Sequence, residues 1–494
     1  MNYFSPKKPF TGFYLLLMVF GLNCSLVSKP KPDPKPKRTN ILLITADDLG
    51  YEAVNFINEY TNDLTPNLDK LASEGMSFDH AFVNTAICAP SRGIIATGRY
   101  GFNSGLFGFN KLTKEVPTVF GTLKDAGYLT GILGKVGHST PDPNYTWDFM
   151  HDQNELGAGR SPERYYQYVK EFLKMSQEKD KPFYMMVNSH DPHRPFHDPE
   201  GKKLRGEMDP SKLYNPDDVR VPSYLPDLPG VRKEMSHYYN SVRRLDDTVG
   251  KILQALEESG MADNTFVIFI TDNGSAFPFA KANTYLPSNR TACFVRYPKV
   301  IKKPQVDKVN FISNIDFFPT FMDLAGLPHP DGLDGQAILP LLKGKKQKGR
   351  DFVYTQIDYK IGGPPTPMRG VQNDKYLYIF NAWSDGVNKY KNNNEGKTMA
   401  AMEQAAKQDE NVQKIIDKYR YREVEEFYDV RVDPGCTRNL FNDPSMKDKV
   451  AEYQTRLRDW MVKTNDHALT GFDNRGDAEK LAQAYDNYPV LKGR

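Results

Sequence analysis

The chain has few cysteines: four among 494 residues, at Cys24, Cys88, Cys293 and Cys436. That excludes a disulfide-built scaffold, which needs many more cysteines in a much shorter chain. It also lacks an excess of charge of either sign, with 65 basic against 62 acidic residues and a formal net charge of +3. Nucleic-acid-binding proteins carry a concentrated basic stripe, and the balance here argues against such a partner. No apolar run is long enough to cross a bilayer comfortably. The greasiest, Phe13 to Leu22, is about ten residues where about twenty are needed. No internal repeat is visible. Gly and Pro stand at 36 and 35, ordinary levels, so collagenous, mucin-like and wholly disordered readings fall away. What remains is a globular chain long enough for roughly two to three domain-sized units, or for one large α/β core with a smaller appendage.

Lys7 and Lys8 precede the Phe13–Leu22 run. A charged start followed by a short greasy segment is the pattern of an export signal, here over residues 1–24. The alternative is the start of a buried helix. The run stops just before Cys24, a candidate for lipid attachment and hence for a membrane tether, although Gly21 and Asn23 depart from the usual lipoprotein pattern. Residues 25–38 follow, with Lys29 to Arg38 alternating proline and charge, which makes an extended spacer without a packed core. The expected location is outside the cytoplasm: periplasm, cell surface or medium.

Beyond Arg38, apolar runs alternate with amphipathic stretches, the pattern of a largely parallel sheet covered by helices. Four runs end in reactive residues. Ile41–Thr45 leads into Asp47 and Asp48, and Thr265–Thr271 into Asp272, Asn273 and Gly274. Phe183–Val187 leads into His190, Asp191 and His193, and Tyr128–Leu133 into Lys135 and His138. Ligands of such sheets bind beyond the carboxyl ends of the strands, so one shared site is expected. From Met235 to Leu256, apolar residues at helical spacing predict a long amphipathic helix that Gly260 stops. Each reactive element alone has a plainer reading: an Asp pair after a strand is often a cap or turn, and Asp-Asn-Gly is a turn signal. Their joint occurrence carries the argument. Three carboxylates and an amide oxygen form a hard, oxygen-only set suited to Ca2+ or Mg2+.

Cys88-Ala89-Pro90-Ser91-Arg92 stands ahead of Thr97-Gly98-Arg99. A cysteine near a helix start with a fixed cation four residues on is a candidate nucleophile, because helix N-termini stabilise negative charge. The plainer reading is a buried structural cysteine. Cys-x-Pro-Ser-Arg followed by Thr-Gly-Arg resembles the signature of type I sulfatases, whose cysteine is oxidised to formylglycine by a maturation enzyme. Thr65–Asp69, Asp316–Thr320, Leu333–Gly335, Glu426–Asp429 and Asp433-Pro434 look like further landmarks of that family. The resemblance implies an alkaline-phosphatase-like α/β fold with a large mixed sheet flanked by helices. The catalytic region would span 39–350, and a small α+β subdomain over 351–494 would close the pocket. It further implies one Ca2+ on Asp47, Asp48, Asp272 and Asn273, beside the formylglycine at Cys88. Arg92, Lys135 and Lys281 would contact the hydrate and sulfate oxygens. His138 would assist sulfate elimination, and His190 would protonate the leaving group.

Two departures narrow the resemblance. Lys135 and His138 are separated by two residues where many members have one, a spacing that iduronate-sulfatase-like members share. Lys281-Ala-Asn283-Thr-Tyr285-Leu-Pro287 resembles the heparan N-sulfatase (N-sulfoglucosamine sulfohydrolase) branch, which implies substrate contacts from Lys281, Asn283 and Tyr285. His190–Arg194, Pro367–Arg369 and Val242–Asp246 are similar to the same branch. Bacterial proteins similar to that branch also desulfate algal polysaccharides, including ulvan. The export design favours an algal glycan as substrate, with a heparan-type sulfamidase as the alternative. A phosphoesterase of the same superfold is a third class, which Cys88 and the Asp/Asn set argue against; a non-catalytic glycan binder is the reading should Cys88 remain a thiol.

Overall fold

The structure is a computed structural model that describes residues 1, 3–12, 38–58, 63–360, 362–392 and 395–489. Residues 3–12 are exposed and form neither helix nor strand. The greasy run Phe13–Leu22, Cys24 and the spacer up to Lys37 lie outside the described residues. Among the described residues, no helix is long and apolar enough to cross a membrane.

The described residues from Arg38 onward form one compact unit. Its strands are β1 (Asn40–Asp47), β2 (Met76–Phe78), β3 (Ala81–Phe82), β4 (Leu129–Leu133), β5 (Phe149–His151), β6 (Phe183–Pro192) and β7 (Thr265–Thr271). They continue with β8 (Cys293–Arg296), β9 (Gln305–Asp307), β10 (Ile312–Ser313), β11 (Val353–Ile357), β12 (Met368–Gln372), β13 (Tyr376–Asn381) and β14 (Glu425–Asp429). The large sheet runs β5-β4-β6-β1-β7-β8-β2-β9. From β5 to β7 every pairing is parallel, and β8 turns against both of its neighbours. Strand β1 is central: Ile44 pairs with Val187 on one side and Phe269 on the other. Because β4, β6, β1 and β7 are adjacent and parallel, their carboxyl ends share one edge, and that edge receives all four reactive sequences.

Burial on both faces explains the continuous apolar runs. Leu42, Ile44 and Ala46 of β1 pack with the helices Pro162–Glu178 and Pro229–Glu258. Ile41 and Leu43 face the opposite core, with Phe317, Phe318 and Phe321 of the helix Phe317–Ala325. The long helix buries Met235, Tyr239, Val242, Leu245, Val249, Ile252 and Leu256, the stripe its spacing predicts. It begins six residues before that stripe, at Pro229, because proline suits a first helical turn where its missing N–H leaves nothing unpaired.

The second sheet, β11-β12-β13-β14, is antiparallel throughout and opens close to the boundary expected at residue 350. The helix Lys447–Thr464 covers one face with Tyr453, Leu457, Trp460 and Met461 against Tyr378, Phe380 and Phe427. Arg369 of β12 is wholly buried there. It donates to Asp466 from Nε at 2.5 Å and Nη2 at 2.8 Å, and to Asp358 at 2.7 Å. Removing the guanidinium strands two carboxylates without solvent. Arg369→Met is therefore expected to cost about 3–5 kcal/mol in urea unfolding, as for other broken buried pairs. A loss below about 1 kcal/mol, the range of an exposed pair, would show the cluster to be solvated.

Candidate active site

Cys88 is the first residue of the ten-residue helix Cys88–Thr97, after Ile87 in an extended conformation. Gly98 ends that helix at φ +62, a left-handed position where only glycine avoids a Cβ clash. Ser91 is held by Asn314, whose Nδ2 donates to its carbonyl at 3.1 Å and its hydroxyl at 3.0 Å. The thiol is buried, and burial pushes it up to about 12 despite the pull of Lys281 and Lys135.

Around it the four strand ends converge. Lys135 Nζ lies 2.5 Å from Asp47 Oδ2, and Lys281 Nζ bonds Asp48 Oδ1. Arg92 Nε and Nη2 reach Asp272 Oδ2 at 2.9 and 2.8 Å, and Nη2 stands 3.6 Å from Asp47. Arg92 Nη1 also donates to Thr45 Oγ1 at 2.7 Å and Asn188 Oδ1 at 2.5 Å. Arg92 is thus committed on every side and braces the acids. All of these charged side chains are nine-tenths or more buried. Three carboxylates, Asp47, Asp48 and Asp272, face three cations, Arg92, Lys135 and Lys281. With all three acids ionised their charges cancel, so a bound divalent cation would leave the cluster at +2, a field suited to an anionic ligand.

The donor set fits such a cation. Asp47 Oδ1, Asp48 Oδ2 and Asn273 Oδ1 are buried and accept no hydrogen bond among the described residues. Unpaired buried oxygens are costly unless something electropositive meets them. The structure adds His193 to the set. Its Nδ1 must donate to the Arg194 carbonyl at 2.6 Å, which leaves the Nε2 lone pair facing Asp48 Oδ2 at 4.0 Å. Two acceptors aimed at one gap want a cation or donor between them. Ligand atoms of Asp47, Asp48 and His193 lie within 4.8 Å of one another. Sequence reasoning noted His193 but gave it no role. Its proximity depends on β6 running on through Pro192 instead of ending at Val187.

His190 and His138 flank Lys135. The Lys135 N–H donates to His190 Nε2 at 3.2 Å, so that nitrogen is the unprotonated one. Lys135 holds this pose at φ +49, a left-handed conformation that a lysine adopts only when its surroundings impose it. Burial and then Lys135 hold His190 well below the ordinary imidazole range. The same two causes push His138 down to about 4, and its Nδ1 is buried without a partner among the described residues. Gly159 at φ +72 seats His190: a Cβ there would lie 2.2 Å from the His190 ring.

Asn283 and Tyr285, expected to touch substrate, have their polar atoms occupied within the protein. Asn283 Nδ2 donates to the Lys281 carbonyl at 2.7 Å, and its Oδ1 accepts from Arg422 at 2.9 Å. Tyr285 is 1% exposed and donates its hydroxyl to Glu426 at 2.8 Å.

Burial raises the Asp272 carboxyl to about 7, and the Asp47 charge adds to the rise. Burial would raise Asp47, but the positive charges around it, Lys135 foremost, hold it well below the usual range. A cation taken by this cluster must therefore displace a proton from Asp272. Calcium affinity is expected to rise as pH climbs through about 7 and to level off above it, with proton release visible by calorimetry in buffers of different ionisation heat. Binding that is flat from pH 6 to 8, about one unit either side of that value, would count against Asp272 as the titrating ligand.

A family model described as Sulfatase matches residues 39–327, and one described as N-sulphoglucosamine sulphohydrolase, C-terminal, matches residues 275–413. N-sulphoglucosamine sulphohydrolase of Homo sapiens is 29% identical over 502 aligned residues, covering 91% of this chain and 93% of the human one. An ulvan-active sulfatase of Formosa agariphila is 25% identical, covering 88% of this chain and 76% of its own. A solved structure in complex with its substrate, D-glucosamine-2-N,6-O-disulfate, is similar with a TM-score of 0.64 at 21% identity, covering 87% of this chain and 99% of that one. The architecture is the alkaline-phosphatase-like sulfatase fold. The first match takes in the whole buried cluster from Asp47 to Lys281, and the chain belongs to the sulfatase family of sulfuric ester hydrolases.

Proposed function

We propose that this sulfatase removes the sulfate group of a sulfated saccharide, using Cys88 matured to formylglycine and one Ca2+, with N-sulfated glucosamine as the leading substrate. The observation that carries the reading is the placement of Cys88: a helix start inside a dry ring of lysines and carboxylates, with its own thiol pushed up to about 12. Such a thiol is uncharged at neutral pH and a poor nucleophile. A thiol adduct would also have no easy way to release sulfate. A formylglycine hydrate has one, because loss of a proton from its second hydroxyl re-forms the carbonyl as sulfate departs. The side chain is 2% exposed, so a formylglycine-generating enzyme must reach it before the domain closes.

Lys135 and Lys281 bind and orient the sulfate oxygens, their ammonium groups exchanging part of their carboxylate contacts for the anion. Arg92 holds Asp272 and Asp47 in place and keeps the cluster charge-balanced. His138, neutral at physiological pH, takes the hydrate proton. His190 protonates the leaving nitrogen or oxygen, its basicity raised once an anion lies beside it. Asp47, Asp48, Asp272 and Asn273, with His193 facing the same gap, would hold the Ca2+, which would supply positive charge to offset the transferring sulfate.

N-sulfated glucosamine leads because the human sulphohydrolase is similar over 91% of the chain, and the N-sulphoglucosamine sulphohydrolase C-terminal model matches residues 275–413, which take in Lys281–Pro287. Preference for an algal glycan rests on the export design of residues 1–38, and the likeness to ulvan-active sulfatases keeps O-sulfated rhamnose as the second reading. Export through residues 1–24 and a tether at Cys24 belong to the same proposal.

Sulfate release by ion chromatography, from an N-sulfated glucosamine oligosaccharide and from an ulvan-derived 3-O-sulfated rhamnose oligosaccharide, separates the two. Peptide mass spectrometry over residues 85–92 is expected to show one sulfur and two hydrogens replaced by one oxygen. Cys88→Ala is expected to abolish release while the protein stays folded; full activity in that variant would sink the mechanism. For the Ca2+-loaded enzyme, the acid limb of kcat/KM that belongs to His138 is expected near about 4, where that imidazole gains a proton, and not near about 6.5, where a free imidazole titrates. An acid limb that is unchanged in His138→Ala would assign the titration elsewhere.

A further inference from the structure

We infer that Tyr390 and Asn283 are positioning residues for Lys281, through which the C-terminal subdomain sets the affinity of the sulfate pocket. The inference rests on the reading that Lys281 binds sulfate. Lys281 lies between two left-handed non-glycine residues, Phe279 at φ +70 and Ala282 at φ +58. Such backbone persists only where its surroundings over-determine it. Three side chains here do so. Tyr390 donates its hydroxyl to the Ala282 carbonyl at 2.7 Å, and Asn283 and Asn392 donate to the Lys281 carbonyl at 2.7 and 3.1 Å. On the other side, the Ala282 N–H donates to the Ala86 carbonyl at 2.9 Å, two residues before Cys88.

The clamp is anchored on Arg422. Its Nη2 donates to Asn283 Oδ1 at 2.9 Å and its Nε to the Tyr419 carbonyl at 2.8 Å. Its guanidinium sits among four rings, 4.7 Å from Tyr285, 4.8 Å from Tyr390, 5.4 Å from Tyr419 and 5.6 Å from Phe279. Tyr390, Asn283 and Arg422 are all buried, so water cannot replace a lost donor cheaply. The Asn-x-Tyr segment thus acts behind the lysine: Asn283 links its backbone to Arg422, and Tyr285 forms one wall of the Arg422 cage. Lys281 is pinned at its backbone from the subdomain and at its ammonium by Asp48.

The test is calorimetric titration of inorganic sulfate, with Ca2+ present, into the full chain and into Tyr390→Phe, Lys281→Ala and the double variant. Phenylalanine keeps the ring and removes only the donated hydroxyl. Tyr390→Phe is expected to weaken sulfate binding about fivefold when Lys281 is present, the effect of one buried hydrogen bond, and to add nothing in Lys281→Ala. Equal losses in both backgrounds would overturn the inference, since Tyr390 would then act without Lys281. Unchanged binding in Lys281→Ala would instead sink the sulfate-pocket reading beneath it. Where the double variant binds too weakly to titrate, hydrogen exchange at the Ala282 amide decides. Faster exchange in Tyr390→Phe at an unchanged melting temperature supports the clamp, and unchanged exchange overturns it.

Discussion

Everything at this site depends on keeping three carboxylates and three cations out of water within a few ångströms of one another. An isolated buried charge costs several kcal/mol, so none of these side chains is stable there alone. Arg92 solves most of the problem by reaching from the Cys88 helix to both Asp47 and Asp272, which tolerates no substitute with fewer donors. The balance is also what makes the site responsive. With the internal charges cancelled, an added divalent cation or an anionic ligand each shifts the whole cluster, and the two together nearly restore neutrality.

The fold creates that density by putting four parallel strands side by side. Each strand is apolar on both faces, so its polar residues collect just past its carboxyl end. The left-handed residues Asp48 and Lys135 sit at these ends and turn the chain sharply enough to aim side chains back over the edge. Gly159 completes the arrangement from a loop, since no residue with a Cβ could lie against the His190 ring. The second sheet contributes differently. Its neighbouring segment braces the Lys281 loop from behind, so a part of the chain that carries none of the buried charged cluster still touches the backbone of one of its cations.

Much of this architecture was legible in the sequence. The strands and the long helix are marked by apolar periodicity, and the four reactive strand ends by the polar residues at the close of each run. The Cys88 motif and the Lys281–Pro287 segment carried the family resemblance. Other features were not legible. The role of His193 depends on β6 running past Val187, and its Nε2 faces Asp48 only because the chain turns there. Asn283 and Tyr285 looked like substrate contacts because the Lys281–Pro287 segment resembles the heparan N-sulfatase branch. Their polar atoms are taken up by Arg422 and Glu426, residues some 140 positions away in sequence.

Residue types, their local spacing and the resemblance they carry were enough to reach the sulfatase family: hard oxygen donors, a specially placed cysteine, histidines and lysines around it. Those are properties of short segments, and short segments are read directly from the chain. Distance and burial were decided by the tertiary structure. Whether Arg92 braces acids or greets a ligand depends on packing between elements far apart in sequence. So does the seating of His190 against Gly159, and so does the direction in which Tyr285 points. A linear pattern cannot encode these, because a charge's energy depends on what surrounds it in space.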